Sequence, residues 1–150
     1  MRKYICMGAM EAIAAAGRQR SEKEKEESKR AIFDLILQEY KEIQKIKEVG
    51  ATREILVVGR RLGKTSAIMD FAEEYDIPII AEWRYIGILR AIAKKENRNV
   101  KIISINEDIT DISNGTIKVL LKDEGTTVAK IRESIPWYVN VIGLTSISDI

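Results

Sequence analysis

Two short stretches carry side chains whose types and spacing suit the handling of a phosphate. The first is Val57-Val58-Gly59-Arg60-Arg61-Leu62-Gly63-Lys64-Thr65-Ser66, entered from the apolar run Ile55-Leu56-Val57-Val58. The second is Ile117-Lys118-Val119-Leu120-Leu121-Lys122-Asp123-Glu124. A glycine-bounded turn between a strand and a helix presents backbone N–H groups that have no intrahelical acceptor and lie at the positive end of the helix dipole. There Gly63 lets the backbone approach a ligand without a Cβ, Lys64 supplies a point charge to phosphate oxygens, and Thr65 offers a hydroxyl to Mg²⁺. An acidic pair at the end of a later strand completes such a site. Asp123 is then placed to face the metal, and Glu124 to orient or deprotonate an attacking water.

These residues need a scaffold that gathers strand ends on one edge. From residue 51 the pattern alternates strand and helix. Strands are expected at Ile55–Val58, Ile77–Ala81, Val100–Ile105, Ile117–Leu121 and Val139–Ile142. Helices are expected at Thr65–Tyr75, Tyr85–Glu96 and Val128–Ser134. That alternation predicts an α/β fold, a mainly parallel five-stranded sheet with helices on both faces. In such a sheet ligands bind where carboxyl ends of strands meet. The last strand runs on into Gly143-Leu144-Thr145-Ser146, and Thr145 at its polar tip is a candidate sensor of a terminal phosphate.

Residues 1–50 read differently, as an N-terminal helical segment ahead of the α/β domain of residues 51–150. Residues 4–16 are alanine-rich and predict a helix ended by Gly17. A weaker reading of the same stretch is a secretory signal behind Arg2-Lys3, interrupted by Glu11. Ser21 stands three before Glu24, a capping-box spacing that starts a long helix reaching Lys47. Ile32, Leu35, Ile36, Tyr40, Ile43 and Ile46 recur at helical period and predict a stripe that packs on the sheet, with a partner helix as the alternative. The charged first part, Glu22–Arg30, reads as a solvated face, and its length suits either an arm for oligomer contacts or a frayed end.

Composition narrows the chemistry. The chain of 150 residues is long enough for one compact core. It has no histidine, which removes His-based acid–base catalysis, and its single cysteine, Cys6, cannot form an intrachain disulfide. A reducing, cytoplasmic setting fits that usage. No stretch is long and apolar enough to span a bilayer, so no membrane partner is expected. A net charge of +2 makes no case for nucleic acid by itself. The local stretch Arg84, Arg90, Lys94, Lys95, Arg98 and Lys101 could meet a phosphate backbone, with Trp83 and Tyr85 beside it to stack on a base. The competing reading is a charged helix end with Trp83 partly in the core.

The Gly59–Thr65 turn, the Asp123-Glu124 pair and the Gly143–Ser146 strand together resemble P-loop ATPases of the additional-strand, RecA-like class. Within that class the basic turn is similar to that of viral terminase large subunits and helicase cores. The resemblance covers roughly residues 54–146 and implies ATP and Mg²⁺ as ligands, hydrolysis of the nucleotide, and coupling to DNA or RNA. It also implies that Arg60 or Arg61 acts as an arginine finger in cis. The sequence departs from the usual Walker A pattern in one place: the first glycine slot falls on Val58, and Gly59 sits one residue late. Lys122 occupies a position that is more often apolar; it either neutralises Asp123 or points outward. A terminase would continue into a nuclease and a helicase into a second RecA-like domain, so a translocating activity would draw on partner subunits. The alternative function is a non-catalytic nucleotide-binding-fold protein that regulates or assembles through its long helix. A small-molecule kinase fits less well, because Asn106–Thr116 is acidic and polar where a basic lid would be needed.

Overall fold

The computed structural model describes residues 2–5, 22–58, 63–105, 112 and 115–146. The strands are β1 (Arg2–Ile5), β2 (Thr52–Val57), β3 (Ile79–Ala81), β4 (Ile102–Ser104), β5 (Val119–Lys122) and β6 (Asn140–Ser146). The helices are α1 (Glu22–Ile46), α2 (Lys64–Tyr75), α3 (Trp83–Lys95) and α4 (Val128–Ser134). The strands form one sheet in the order β1-β2-β6-β5-β3-β4, and every neighbouring pair is parallel.

The five strands expected from the sequence are all present, and β1 adds a sixth beside β2. This differs from the helix expected over residues 4–16: Tyr4 and Ile5 are strand, with Tyr4 opposite Leu56 and Ile5 opposite Val57. The open edge of β2 offers backbone partners that local periodicity cannot foresee, and Tyr and Ile suit a strand. The rest of that expected helix lies outside the described residues.

Handedness distributes the helices. Connections β1–α1–β2, β2–α2–β3 and β3–α3–β4 advance along the sheet in one direction, and β5–α4–β6 returns. Right-handed crossovers therefore set α1, α2 and α3 on one face and α4 on the other. The side chains follow. Ile55, Val57, Leu121, Ile142 and Leu144 pack with the first three helices. Ile80, Ile103, Leu120 and Val141 pack with Ile131 of α4. Burial on both sides explains why the strands read as continuous apolar runs.

The stripe on α1 behaves as expected. Ile32, Ile36 and Ile43 are buried in the same core as the sheet, and only Ile46 turns out to solvent. The core joining residues 22–46 to the α/β region is aromatic: Phe33 and Tyr40 meet Phe71 of α2 edge-on, and Phe71 stacks on Tyr75 with centroids 4.5 Å apart. The charged start of α1 is for the most part the solvated face expected of it, with Glu22, Lys23, Glu26, Glu27 and Arg30 exposed, but it is not wholly free of the protein. Ser28 is buried, and Lys29 reaches Asp70 of α2 at 3.3 Å. One turn of α2 gives that stretch an acidic neighbour that its own sequence does not announce.

Arginines tie the amino edge of the sheet. Arg53, buried on β2, is held by Glu39, Glu42 and Glu48. Arg132 of α4 donates to the carbonyls of Ala51 and Val139, each at 2.7 Å, and to Thr52 Oγ1 at 2.8 Å. Its partners are backbone and hydroxyl oxygens rather than a carboxylate, and burial pushes its guanidinium pKa down. Arg132→Met keeps the stem and strands those acceptors, so it is expected to lower stability by about 2–3 kcal/mol. Denaturant unfolding checks this; an unchanged midpoint would mean water replaces the guanidinium at no cost. Among the described residues, no helix is long and apolar enough to cross a membrane.

Candidate functional site

The chain leaves β2 toward α2 on one face of the sheet and leaves β5 toward α4 on the other. Their carboxyl ends therefore flank a crevice where connections diverge, with β6 between them. Val57 ends β2 six residues before Gly63, and Lys122 ends β5 immediately before Asp123. Both predicted stretches thus open onto the same edge.

Gly63 precedes the first residue of α2 in a left-handed conformation, φ +76°. A side chain there would be strained, and its Cβ would come within 3.1 Å of Lys29 Cβ. The first bond of the helix runs from Ala67 N–H to the Gly63 carbonyl, 2.9 Å. The amides of Thr65 and Ser66 lie ahead of it and have no intrahelical acceptor. Gly63, at the N-cap, has no side chain to cap this end.

Two contacts then close the site across the sheet. Lys64 Nζ donates to Glu124 Oε2 at 2.9 Å, and Thr65 Oγ1 donates to Asp123 Oδ2 at 2.9 Å. These partners are 60 and 58 residues apart in sequence. Asp123 Oδ1 also accepts the Glu124 N–H, at 2.9 Å. Burial pushes the Asp123 carboxyl pKa up, against those two hydrogen bonds, and the neighbouring Glu124 charge adds to the rise.

The Thr65–Asp123 pair fits Mg²⁺ by its donor chemistry. A hydroxyl and one carboxylate are hard oxygen ligands. Adjacent oxygens of an octahedron with metal–oxygen bonds of about 2.1 Å stand about 3 Å apart, close to the separation seen here. Among the described residues, no group of three or more His, Cys, Asp or Glu gathers as a metal cage. A site of two protein oxygens completed by phosphate and water is the ordinary arrangement for this ion. A cavity of about 90 Å³ adjoins the pair, lined by Thr65, Asp123, Gly125 and Thr126 with Tyr85 and Ile88 of α3.

Thr145 is placed differently. β6 does lie between β2 and β5, as the sensor role requires, but the Thr145 side chain is already engaged. Its hydroxyl donates to Glu54 Oε1 at 3.2 Å and accepts from Lys122 Nζ at 3.4 Å. Alternation along β6 puts it on the face opposite Leu144. Lys122, expected either to neutralise Asp123 or to point outward, is buried at 1% exposure and does not point outward. Its ammonium bonds the Leu144 carbonyl, and its charge lowers the Asp123 pKa only as the smallest of the influences on it. Its stem crosses β6 at Gly143, where any Cβ would fall 1.8 Å from Lys122 Cγ. Reading the sequence missed Glu54 and the packing of Lys122 across Gly143. Register explains them: Lys122 and Glu54 both pair with Gly143, on opposite sides.

Gly63, Lys64, Thr65 and Ser66 are thus assembled at the edge with Asp123 and Glu124. Gly59, Arg60, Arg61 and Leu62 lie outside the described residues. No protein-family model, curated protein or solved structure matches this chain.

Proposed function

We propose that the chain is a phosphate-loop nucleoside triphosphatase of the additional-strand class, binding ATP with Mg²⁺ and hydrolysing it. The observation that carries this reading is the paired contact Lys64–Glu124 and Thr65–Asp123 at the carboxyl edge of a parallel sheet, with a strand inserted between the two halves. A buried or half-buried ion pair between residues so far apart has many structural explanations taken singly. Both contacts together, at the start of a helix whose first amides have no intrahelical acceptor, match what a triphosphate requires.

In this reading the α2 amides and Lys64 receive the β- and γ-phosphate oxygens. Thr65 and Asp123 hold Mg²⁺, which when bound neutralises charge developing on those oxygens. Glu124 accepts a proton from the attacking water, and Arg60 or Arg61 stabilises the leaving charge. The cytoplasm, which supplies ATP and keeps Cys6 reduced, is the corresponding setting. The Lys64–Glu124 ion pair also favours a second reading, a nucleotide-binding module without turnover, because each side chain occupies the other. The two differ in one assay: Mg·ATP binding without phosphate release selects the second.

Mg·ATP is expected to raise the melting temperature of the wild-type protein by several degrees at ligand concentrations a hundredfold above Kd. In Lys64→Ala the rise should vanish. A chain that ATP stabilises equally with or without Lys64 would contradict both readings.

A further inference from the structure

The backbone pairing of β5 stops just short of the residues that β5 delivers to the site. On one side β5 pairs with β3 at Leu121, opposite Ile79. On the other its last pair with β6 is Lys122, opposite Gly143. Asp123 and Glu124 therefore begin where the pairing of β5 has ended. β6 runs on: Leu144, Thr145 and Ser146 stay paired with Ile55, Leu56 and Val57 of β2. β2 is also the strand from which the chain leaves toward α2 and Thr65. The paired ends of β2 and β6 thus form a rail beside which the end of β5 must be held.

The Lys122 side chain carries the fastening past the last backbone pair. Its stem lies over Gly143, and its ammonium bonds the Leu144 carbonyl and, at 3.4 Å, the Thr145 hydroxyl. That hydroxyl donates in turn to Glu54 Oε1 of β2 at 3.2 Å. An unbranched apolar side chain would also fill the gap over Gly143, so burial alone does not call for an ammonium, which is costly to bury unless it is bonded. What the ammonium adds is its bonds to the tip of β6. Nor does it serve chiefly as a counter-charge: burial is the largest influence on the Asp123 carboxyl, and the Lys122 charge is the smallest. Successive residues of a strand point to opposite faces. Lys122 shares the face of Leu120, the α4 side, whereas Asp123 meets Thr65 of α2.

We propose that Lys122 is a positioning residue. It ties the end of β5 to the β2–β6 rail from the far side of the sheet and so holds the Asp123 carboxylate opposite the Thr65 hydroxyl. The metal that this pair would hold rests on the triphosphatase reading; the tie does not.

Two measurements on the full chain test it, one with nucleotide and one without. In the first, ATP affinity is measured by calorimetry with Mg²⁺ and with EDTA. Lys122→Met keeps the stem and removes the bonds to β6. It is expected to leave affinity in EDTA unchanged and to cut the gain from Mg²⁺ about tenfold, the loss usual when a group orienting a metal ligand is removed. In the second, Thr65→Val is expected to lower the melting temperature of nucleotide-free wild type by a few degrees and to do little in the Lys122→Met background. A lysine that only stabilises the fold would leave the gain from Mg²⁺ as it is and make the two drops in melting temperature additive; either result overturns the proposal. Wild type that binds no ATP in either buffer sinks the triphosphatase reading instead, and the melting cycle then decides the tie alone. Thr145→Val removes one acceptor and keeps the shape. It should move both readouts in the same direction by less, and it decides the matter if Lys122→Met does not fold.

Discussion

Glu124→Gln is expected to cut ATP turnover by about 10²–10⁴-fold and to bind Mg·ATP at least as tightly as wild type. The first effect follows from removing the acid that the proposed mechanism uses as proton acceptor beside the Lys64 ammonium. The second follows from what Lys64 does without nucleotide. Its ammonium is held by Glu124 at 2.9 Å, in a pair whose glutamate is about a third exposed. In the proposed site phosphate has to displace that carboxylate, so the ion pair would compete with the ligand. Such a partly exposed pair is worth ~0.2–1 kcal/mol, and removing it should tighten binding up to about fivefold. Single-turnover phosphate release together with equilibrium binding reads both effects. Turnover that survives in Glu124→Gln would take Glu124 out of catalysis and leave it as a counter-ion only.

Asp123→Asn should have opposite consequences for the empty and the loaded protein. Burial raises the Asp123 pKa, so the folded chain holds its proton more tightly than the unfolded chain does. The sign then runs against the carboxylate. Below the unfolded-state pKa there is no penalty. As pH rises from there through the folded-state pKa, stability is lost, and above it the penalty is constant. Asparagine removes the charge and keeps a group able to meet the Thr65 hydroxyl and the Glu124 amide. At neutral pH without nucleotide, the variant is expected to melt a few degrees higher than wild type, with the gap closing in acid. Mg²⁺ should lose its effect on ATP binding in the same variant. Thermal melts across pH, with and without Mg·ATP, check both halves. An Asp123→Asn protein that is less stable at neutral pH and still Mg²⁺-dependent would mean the carboxylate is a structural acceptor.

The degree to which this arrangement was legible in the sequence depends on the range of the interaction. Helix periods, the start of α2 at Lys64 and the strand that ends before Asp123 are local patterns, and they matched the fold closely. Val128–Ser134 matched residue for residue, because Thr127 caps α4 by accepting the Lys130 N–H. What escaped was set by register and by neighbours distant in sequence. The strand at Arg2–Ile5 exists because β2 has an open edge. Lys122 looked out of place in an apolar run because nothing nearby in sequence reveals that Gly143 leaves a gap for its stem. Thr145 met the sensor expectation in position along the sheet. Its hydroxyl is instead taken up by Lys122 and Glu54, which only three-strand register brings together. The charged start of α1 read as solvated and is exposed at Glu22, Lys23, Glu26, Glu27 and Arg30; what escaped is that Asp70 and the close approach to Gly63 bring Lys29 onto the protein.

The proposal that the Lys64–Glu124 and Thr65–Asp123 contacts mark a site for a triphosphate and its metal is tested most directly by titration calorimetry. Wild-type protein titrated with Mg·ATP should show saturable binding of one nucleotide per chain. The heat should disappear in Lys64→Ala, whose circular dichroism remains that of the folded protein. A flat titration for wild type, or an isotherm that Lys64→Ala leaves unaltered, would contradict the account.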